Sequence, residues 1–506
     1  MDRFISHRTG ALSLLAFTAL AVNGCAVGPD FERPTPETPA DWTSWHGGDA
    51  SLNDTTLRSA ATPESQQPWW ETFDDPILNT LQARTLAANA DLKSAALRFA
   101  QSRAQRQMTA AQRGLQLSAD GGVVRQRQSE NGAGTRLIDI LAPPNQDALI
   151  QALSEPFTLY QGGFDASWEL DLWGRARRSV EAADANVAGA AAALSGVLLS
   201  IQAEVARNYF ELRGLQDQVR LTRADIAAAE ESLELVQARA DGGLTSDLDA
   251  TRQAALLDDL RSRLPQLLDQ EAQTINQITL LLGENPGSLR TELEARDDAS
   301  AAQPLPDLTL GIASEVAQRR PDIRQAEAKL HAATAGIGVA AADLYPRIVL
   351  GASFGLESTD SGKFGDWGSR QWSVGPSLSI PLFDQGRRRS EITLRKLEQQ
   401  RAAVAYQQTV LKAWHEIDTA LGSYSAQAQR NAQLVQREAN SRAAYELAHV
   451  RYENGLTSFL DDLDAQRTLL QAQRDRVSSD SQMAIQLVAI YKAIGGNAIE
   501  RGAASP

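Results

Sequence analysis

Two stretches of the chain concentrate the side chains that could do chemistry. "GLTSDLDATRQ" occupies 243–253, and "GLTSFLDDLDAQR" occupies 455–467, in the same register 212 residues later. Both are loaded with aspartate. Ser246 with Asp249, and Ser458 with Asp461, have the S-x-x-D spacing of a capping box that opens a helix. Gly243 and Gly455 fall where a glycine ends the preceding helix in the left-handed conformation. An aspartate in a first helical turn also favours the helix dipole. The phrase therefore predicts the tip of a helical hairpin, spelled twice because there are two hairpins.

The other reactive residue types are sparse. There are five histidines: His7 near the N-terminus, and His46, His331, His415 and His449 scattered along the chain. "WHEID" (414–418) holds His-Glu without the second histidine of a metalloprotease. "GIGVAA" (336–341) is a fragment of a glycine pattern on alanine-rich helical text. No nucleophile elbow or phosphate loop is present, so catalysis is not expected. Cys25 is the sole cysteine, which excludes a disulfide and a thiolate metal cluster. No metal site is expected. The net charge of −14 argues against a nucleic-acid partner, whose phosphates need cations.

Arg3 and Arg8 precede an apolar stretch from Ala11 to Val22. That is the length of a signal h-region and too short to span a bilayer. It closes with "VNGC", which resembles a bacterial lipobox. The resemblance implies removal of residues 1–24 and a covalent lipid on Cys25. Ala26 stands where an Asp would signal retention in the inner membrane, so export to the outer membrane is implied. Beyond the leader, no stretch approaches ~20 apolar residues, so no transmembrane helix is expected. A membrane span would then have to be a closed β-barrel.

The 212-residue offset extends beyond the tips. Gly174-Arg175 matches Gly386-Arg387, Arg239 matches Arg451, and Gly283 matches Gly495. A fixed register of this length points to structural duplication. Each copy contains strand-like text: "FDASWELDL" (164–172), "RIVLGASFGL" (347–356), "WSVGPSLSIPL" (372–382) and, less regularly, "LQLSADGGVVRQRQ" (115–128). Their alternation fits either a half-buried sheet or lipid-facing strands over a polar lumen. Trp168, Trp173, Trp367 and Trp372 would suit the membrane rims.

After the strands come two proline-free runs, 175–241 and 387–453, each about 100 Å long if helical. From Leu194 to Ala240, every third and fourth residue alternately is apolar or small, broken only by Asn208 and Thr222. That is a sustained coiled-coil seam. The second run keeps the frame more loosely through Tyr406, Val410, Ile417, Tyr424, Leu434, Tyr445 and Tyr452. Return helices run to about 282 and 494, with Pro265 expected to kink or interrupt the first.

The chain resembles the outer-membrane efflux protein family of TolC-like channels, in the lipoprotein branch that works with resistance-nodulation-division pumps. The text that carries the resemblance is "CAVGPDFERP" (25–34), "PWWETFDDPILNTL" (68–81), "GGFDASWELDLWGR" (162–175), "RRPDIRQAEAKLHAATAGIGVAAADLYPRI" (319–348) and the second tip phrase. It covers nearly all of the chain after the leader. The implied fold is a mixed α/β membrane protein. It forms a homotrimer whose twelve-stranded outer-membrane β-barrel takes four strands per protomer. The barrel continues into a long α-helical coiled-coil periplasmic barrel with an equatorial belt. The implied organisation is a signal (1–24), an extended lipid-anchored segment (25–68), a first repeat (69–283), a linker (284–318), a second repeat (319–496) and a tail (497–506).

The implied function is the outer-membrane exit duct of a tripartite efflux pump, opened at its periplasmic tip by an adaptor protein. Rival readings are the duct of a type I protein secretion system and a lipid-anchored coiled-coil scaffold. By resemblance, gate aspartates that ring the periplasmic constriction fall on Asp461 and Asp464. A latch between a tyrosine and an acidic residue falls on Tyr452 and Asp249. Asp462 lies off that face and is expected to be solvated. Some members have an arginine at the place of Thr457, so their salt bridge cannot form here.

Overall fold

The computed structural model describes residues 26–35, 38, 45–52, 58–59, 68–133, 135–141, 144–294, 305–306, 309–310, 316 and 319–496. The leader, Cys25 and the tail 497–506 lie outside the described residues.

Four long strands form one sheet: β1 (Gln116–Gln126), β2 (Phe157–Glu169), β3 (Arg347–Ser358) and β4 (Arg370–Ser379). They pair antiparallel in the order β1-β2-β3-β4, leaving β1 and β4 as edges. The register sets Ala119, Phe164, Phe354 and Trp372 in one row, and Ser118, Asp165, Ser353 and Ser373 in the next. Alternate residues face opposite ways. One face thus carries Leu117, Phe164, Trp168, Leu350, Phe354, Trp372 and Val374, all exposed. The other carries serine, Asp165, Gln161 and Glu357. Gln161 donates to Glu357 across the β2–β3 pair at 3.0 Å, and the Ser353 and Ser373 hydroxyls meet at 2.8 Å.

The strand ends differ from expectation for identifiable reasons. β2 starts at Phe157, not 164, and stops at Glu169, not 172. Asp171 is recruited by the next helix, accepting from the Ala176 and Arg177 amides at 2.9 Å each. Trp173 accordingly leaves the sheet, stacks on Tyr345 and donates to the Pro346 carbonyl. β4 stops at Ser379, where Pro381 cannot continue a ladder.

Among the described residues the α-helices, in chain order, are α1 (Pro76–Ala88), α2 (Ala90–Ala111), α3 (Arg136–Leu141), α4 (Gln146–Leu153), α5 (Arg175–Asp241), α6 (Asp247–Leu281), α7 (Pro321–Ala342), α8 (Arg387–Glu453) and α9 (Phe459–Ala493). α5 and α8 have 67 residues each, and α6 and α9 have 35 each. Their ends keep the 212-residue offset without a gap. The α5 seam from Leu194 to Ala240 is buried or half-buried at every heptad position. Pro265 sits inside α6 without interrupting it, so of the two expected effects, a kink or a break, the break does not occur. α5 also holds an 18-residue window of mean hydropathy 1.4, apolar enough by composition to cross a membrane. That differs from the expectation of no such stretch. The apolar run "VAGAAAALSGVLLSI" (187–201) accounts for it, its alanines joined by Val187, Leu194, Val197, Leu198, Leu199 and Ile201.

The chain divides into two compact units. One comprises residues up to Glu32, Gln101–Val187 and Lys329–Ala403; the other comprises Arg33–Ala100, Ala188–Ala328 and Val404 onwards. The first unit holds the sheet. In it the N-terminal segment is clamped: Gly28 lies against the Gly338 backbone, so closely that a Cβ there would come within 2.4 Å. The buried Arg178 pairs with Asp30 at 2.6 Å and Glu181 at 2.8 Å, and Phe31 stacks on His331.

Among the described residues the second unit has two apolar cores. The larger gathers Trp69, Phe73, Leu78, Tyr209, Leu212, Ile278, Ile417, Leu487 and Tyr491. The smaller gathers Val236, Leu256, Leu257, Leu260, Phe459, Leu463 and Leu470 near the hairpin ends. Elsewhere in this unit Gln216, Thr222, Asp225, Thr274 and Ser479 are buried polar residues.

Candidate functional site

Both hairpin tips are built by the same backbone device. Gly243 has φ +73° and Gly455 has φ +71°. The Gly243 amide donates to Ala240 and the Leu244 amide to Arg239; Gly455 and Leu456 donate likewise to Tyr452 and Arg451. These are the paired bonds of a Schellman ending, which only glycine adopts without strain. The leucines that follow project into solvent: Leu244 and Leu248 at the first tip, Leu456 and Leu460 at the second.

The return helices then open on the predicted residues. At the second tip the capping box is complete: Ser458 accepts from the Asp461 amide, and the Asp461 carboxylate accepts from the Ser458 amide. The first tip departs from expectation. Ser246 donates its hydroxyl to Asp249 at 3.0 Å but caps no backbone amide. The Asp249 carboxylate also takes the Thr245 hydroxyl at 2.8 Å.

The electrostatics follow from these bonds. The hydroxyls of Thr457 and Ser458, at 2.6 and 2.7 Å, hold the Asp461 carboxyl below the ordinary range. Burial works to raise Asp249, but Thr245 and Ser246 outweigh it and leave that group lowered too. Asp464 is exposed one turn beyond Asp461, also exposed.

Tyr452 and Asp249 have separate partners within one chain. The Tyr452 ring lies against Phe459, with the Arg239 guanidinium 5.2 Å from its centroid. The Asp249 carboxylate meets Thr245, Ser246 and Arg252.

Asp462 overturns its expected exposure. It is 5 % exposed, and its two oxygens each lie 3.3 Å from His449 Nδ1. Burial pushes its carboxyl up, against the pull of His449. Sequence reasoning missed this pair. Phe459, Asp462 and Leu463 follow the i, i+3, i+4 spacing of a buried face, and that signal placed Asp462 inside.

Comparison with known proteins fits this geometry. The family model for the outer membrane efflux protein matches residues 81–284 and 312–496. The chain is 31% identical over 489 residues to the solvent efflux pump outer membrane protein SrpC of Pseudomonas putida, covering 96% of this chain and 98% of that protein. It is 32% identical to the outer membrane protein OprJ of Pseudomonas aeruginosa, covering 94% of each. Among solved structures, the outer-membrane channel OprN superposes with a TM-score of 0.81 at 32% identity, over 93% of this chain and 99% of that one. The open-state MtrE channel of Neisseria gonorrhoeae gives 0.75 at 26% identity, over 94% and 98%. The chain belongs to the outer membrane efflux protein family.

Proposed function

We propose that three copies of this chain close one twelve-stranded barrel in the outer membrane and form the exit duct of a tripartite efflux pump. The duct conducts small molecules passively from periplasm to exterior. The sheet carries this reading: an apolar exposed face, a polar face and two open edges. Exposed edges are a liability that barrel closure removes. Four strands cannot enclose a lumen; three sets of four can. Relatives named for solvent, toluene and antibiotic efflux support small organic molecules as cargo.

The periplasmic tip is the gate. Asp461 and Asp464 from three copies place six carboxylates around a constriction, favouring cations. In the closed state Tyr452 and Asp249 latch the two hairpins. Exposed leucines at equivalent places of both tips support docking of a periplasmic adaptor, and through it an inner-membrane resistance-nodulation-division pump. A lipid on Cys25 adds an anchor. Ala26 lies against Gly174, just past the end of β2, which supports an anchor beside the barrel.

Single-channel conductance in a planar bilayer tests this. Wild type should give a small, cation-selective conductance that grows and loses selectivity in Asp461→Ala/Asp464→Ala. An unchanged conductance would move the gate elsewhere. Silence from both proteins would leave a scaffold.

A further inference from the structure

The 212-residue offset lays Asp225 of α5 on Arg437 of α8, and Arg263 of α6 on Asp475 of α9. Both hairpins thus place an acid and a base across their two helices, with the signs exchanged. In the second hairpin the rung is closed: Arg437 donates to Asp475 at 2.6 Å. In the first it is not. Arg263 turns to Asp259 on its own helix at 2.9 Å, and Asp225 Oδ2 is buried without a hydrogen bond among the described residues. A base that could match it stands on the other hairpin. Arg474 of α9 gives Nη2 to Gln471 at 3.1 Å, but its Nε and Nη1 are buried and make no hydrogen bond among the described residues. Its counterpart by the offset, Ser262, carries no charge.

These residues share one layer. Asp225, Arg263 and Arg474 each lie one helical turn from a member of the smaller core, Ala229, Leu260 and Leu470 respectively. Burial pushes the Asp225 carboxyl up and the nearby Arg474 charge pulls it partly back, yet no ion pair joins the two in this structure. A buried carboxylate and a buried guanidinium edge, each lacking a partner, are costly while they stand apart. Closing on each other would remove both costs. We infer that Asp225 and Arg474 are the two halves of a catch between the hairpins, unmade in this structure and made when the second hairpin shifts along the first as the duct opens. The inference rests on the gate reading given above.

Each hairpin is tied within itself. Arg261 meets Glu230 at 2.6 Å in the first, and Arg476 meets Glu438 at 2.8 Å in the second, beside the Arg437–Asp475 rung. Movement therefore falls between the hairpins rather than inside them. In this structure Phe459 and Leu463 of the second tip pack among Val236, Leu256 and Leu260 of the first, the arrangement of joined tips. Packed helices slide between discrete arrangements by small shear steps. A shift of α9 that brings Arg474 to Asp225 carries the gate carboxylates with it, since Asp464 precedes Arg474 on the same helix by about 15 Å. A pair made in one arrangement only biases the equilibrium towards that arrangement.

A double-mutant cycle on the full-length protein in planar bilayers tests the catch. Asp225→Asn and Arg474→Gln should each lower the open fraction about ten-fold or more, the loss of one charged hydrogen bond. The double variant should fall no further, because both single changes remove the same pair. Asp225→Asn should unfold no earlier than wild type at pH 8, since it removes an unpaired buried carboxylate. An open fraction unchanged in Asp225→Asn, losses that multiply in the double variant, or a loss that tracks earlier unfolding each overturns the inference. Nitroxides attached through Arg223→Cys and Ser478→Cys, both exposed positions, report the shift without conduction. Their distance distribution should hold two populations in the otherwise wild-type chain and lose one in Asp225→Asn. A single population common to both overturns the catch. A protein that never conducts but keeps two populations defeats the duct reading alone.

Discussion

Asp249 and Asp461, 212 residues apart, are held by the same two side-chain types at the same spacing. Thr245 and Ser246 donate to Asp249 at 2.8 and 3.0 Å, and Thr457 and Ser458 donate to Asp461 at 2.6 and 2.7 Å. The copies diverge three residues on. Arg252 approaches Asp249 at 3.5 Å, while Asp464 takes its place in the second copy. Duplication made two hydroxyl-clamped carboxylates. Divergence offset the charge at one tip and doubled it at the other.

That asymmetry is testable by restoring it. Asp464→Arg gives the second tip the first tip's pattern. Reversal potentials in a KCl gradient should fall towards zero as cation preference is lost, with folding intact because the site is exposed. Arg252→Asp should do the opposite and sharpen cation preference. Preferences that do not respond to either change would remove the tips from the selective pathway.

The hydroxyls should shift the acid limit of that preference. Thr457 and Ser458 stabilise the charged form of Asp461, so its pKa is lowered. A lowered carboxyl stays charged as pH falls through the ordinary range near 3.9. Wild-type selectivity should therefore persist to lower pH than that of Thr457→Ala/Ser458→Ala. Selectivity measured from pH 3 to 6 checks this, and coincident curves would contradict it.

Both tip glycines should be costly to replace for the same reason. Nothing lies within 4 Å of a Cβ built at Gly243 or Gly455, so a substitution meets backbone strain alone. Alanine in the left-handed region should cost about 1–2 kcal/mol, and asparagine less. Thermal unfolding of Gly455→Ala and Gly455→Asn should rank them in that order. Equal losses would mean that the tip relaxes to another turn.

Much of this molecule is legible in its sequence because helical and strand periods are local. The proline-free text allows the length of α5 and α8, and Gly174, Gly243, Gly386 and Gly455 mark their ends and both tips. What stayed hidden depends on which of several possible partners a polar side chain takes. Asp171 looked like a strand residue until the α5 amides claimed it. Asp462 looked solvated until His449, thirteen positions back and on another helix, supplied a reason for burial. Ser246 matched a capping box by spacing, yet its side chain caps no amide, although it donates to Asp249 as Ser458 does to Asp461.

The larger core depends on a polar contact no local pattern would suggest. Tyr209, fully buried, donates to Asp75 at 2.6 Å. Asp75 also caps α1 by accepting from the Ile77 and Leu78 amides. Burial pushes the Tyr209 hydroxyl up to about 12, so it remains a donor at any working pH. Tyr209→Phe should cost about 1–3 kcal/mol by weakening this carboxylate's support. Asp75→Ala should cost more, since it removes the cap as well. Denaturant midpoints of the two variants decide the order.

Asp225 should give stability a pH dependence opposite in sign to that of the tip carboxylates. It is 8% exposed on α5, and its Oδ2 makes no hydrogen bond among the described residues. Burial pushes its pKa up to about 6, with Arg474 pulling only partly the other way. An unfolded aspartate titrates near 3.9. Between those values the folded chain holds a proton that the unfolded chain has released, so stability falls as pH rises from about 4 to 6 and then levels. Asp249 and Asp461, lowered on folding, contribute stability that is lost as pH falls. Unfolding temperatures across pH 4 to 8 should therefore show a decline through 4 to 6 that flattens in Asp225→Asn, which cannot titrate. An Asn variant that keeps the full decline would assign it to another group.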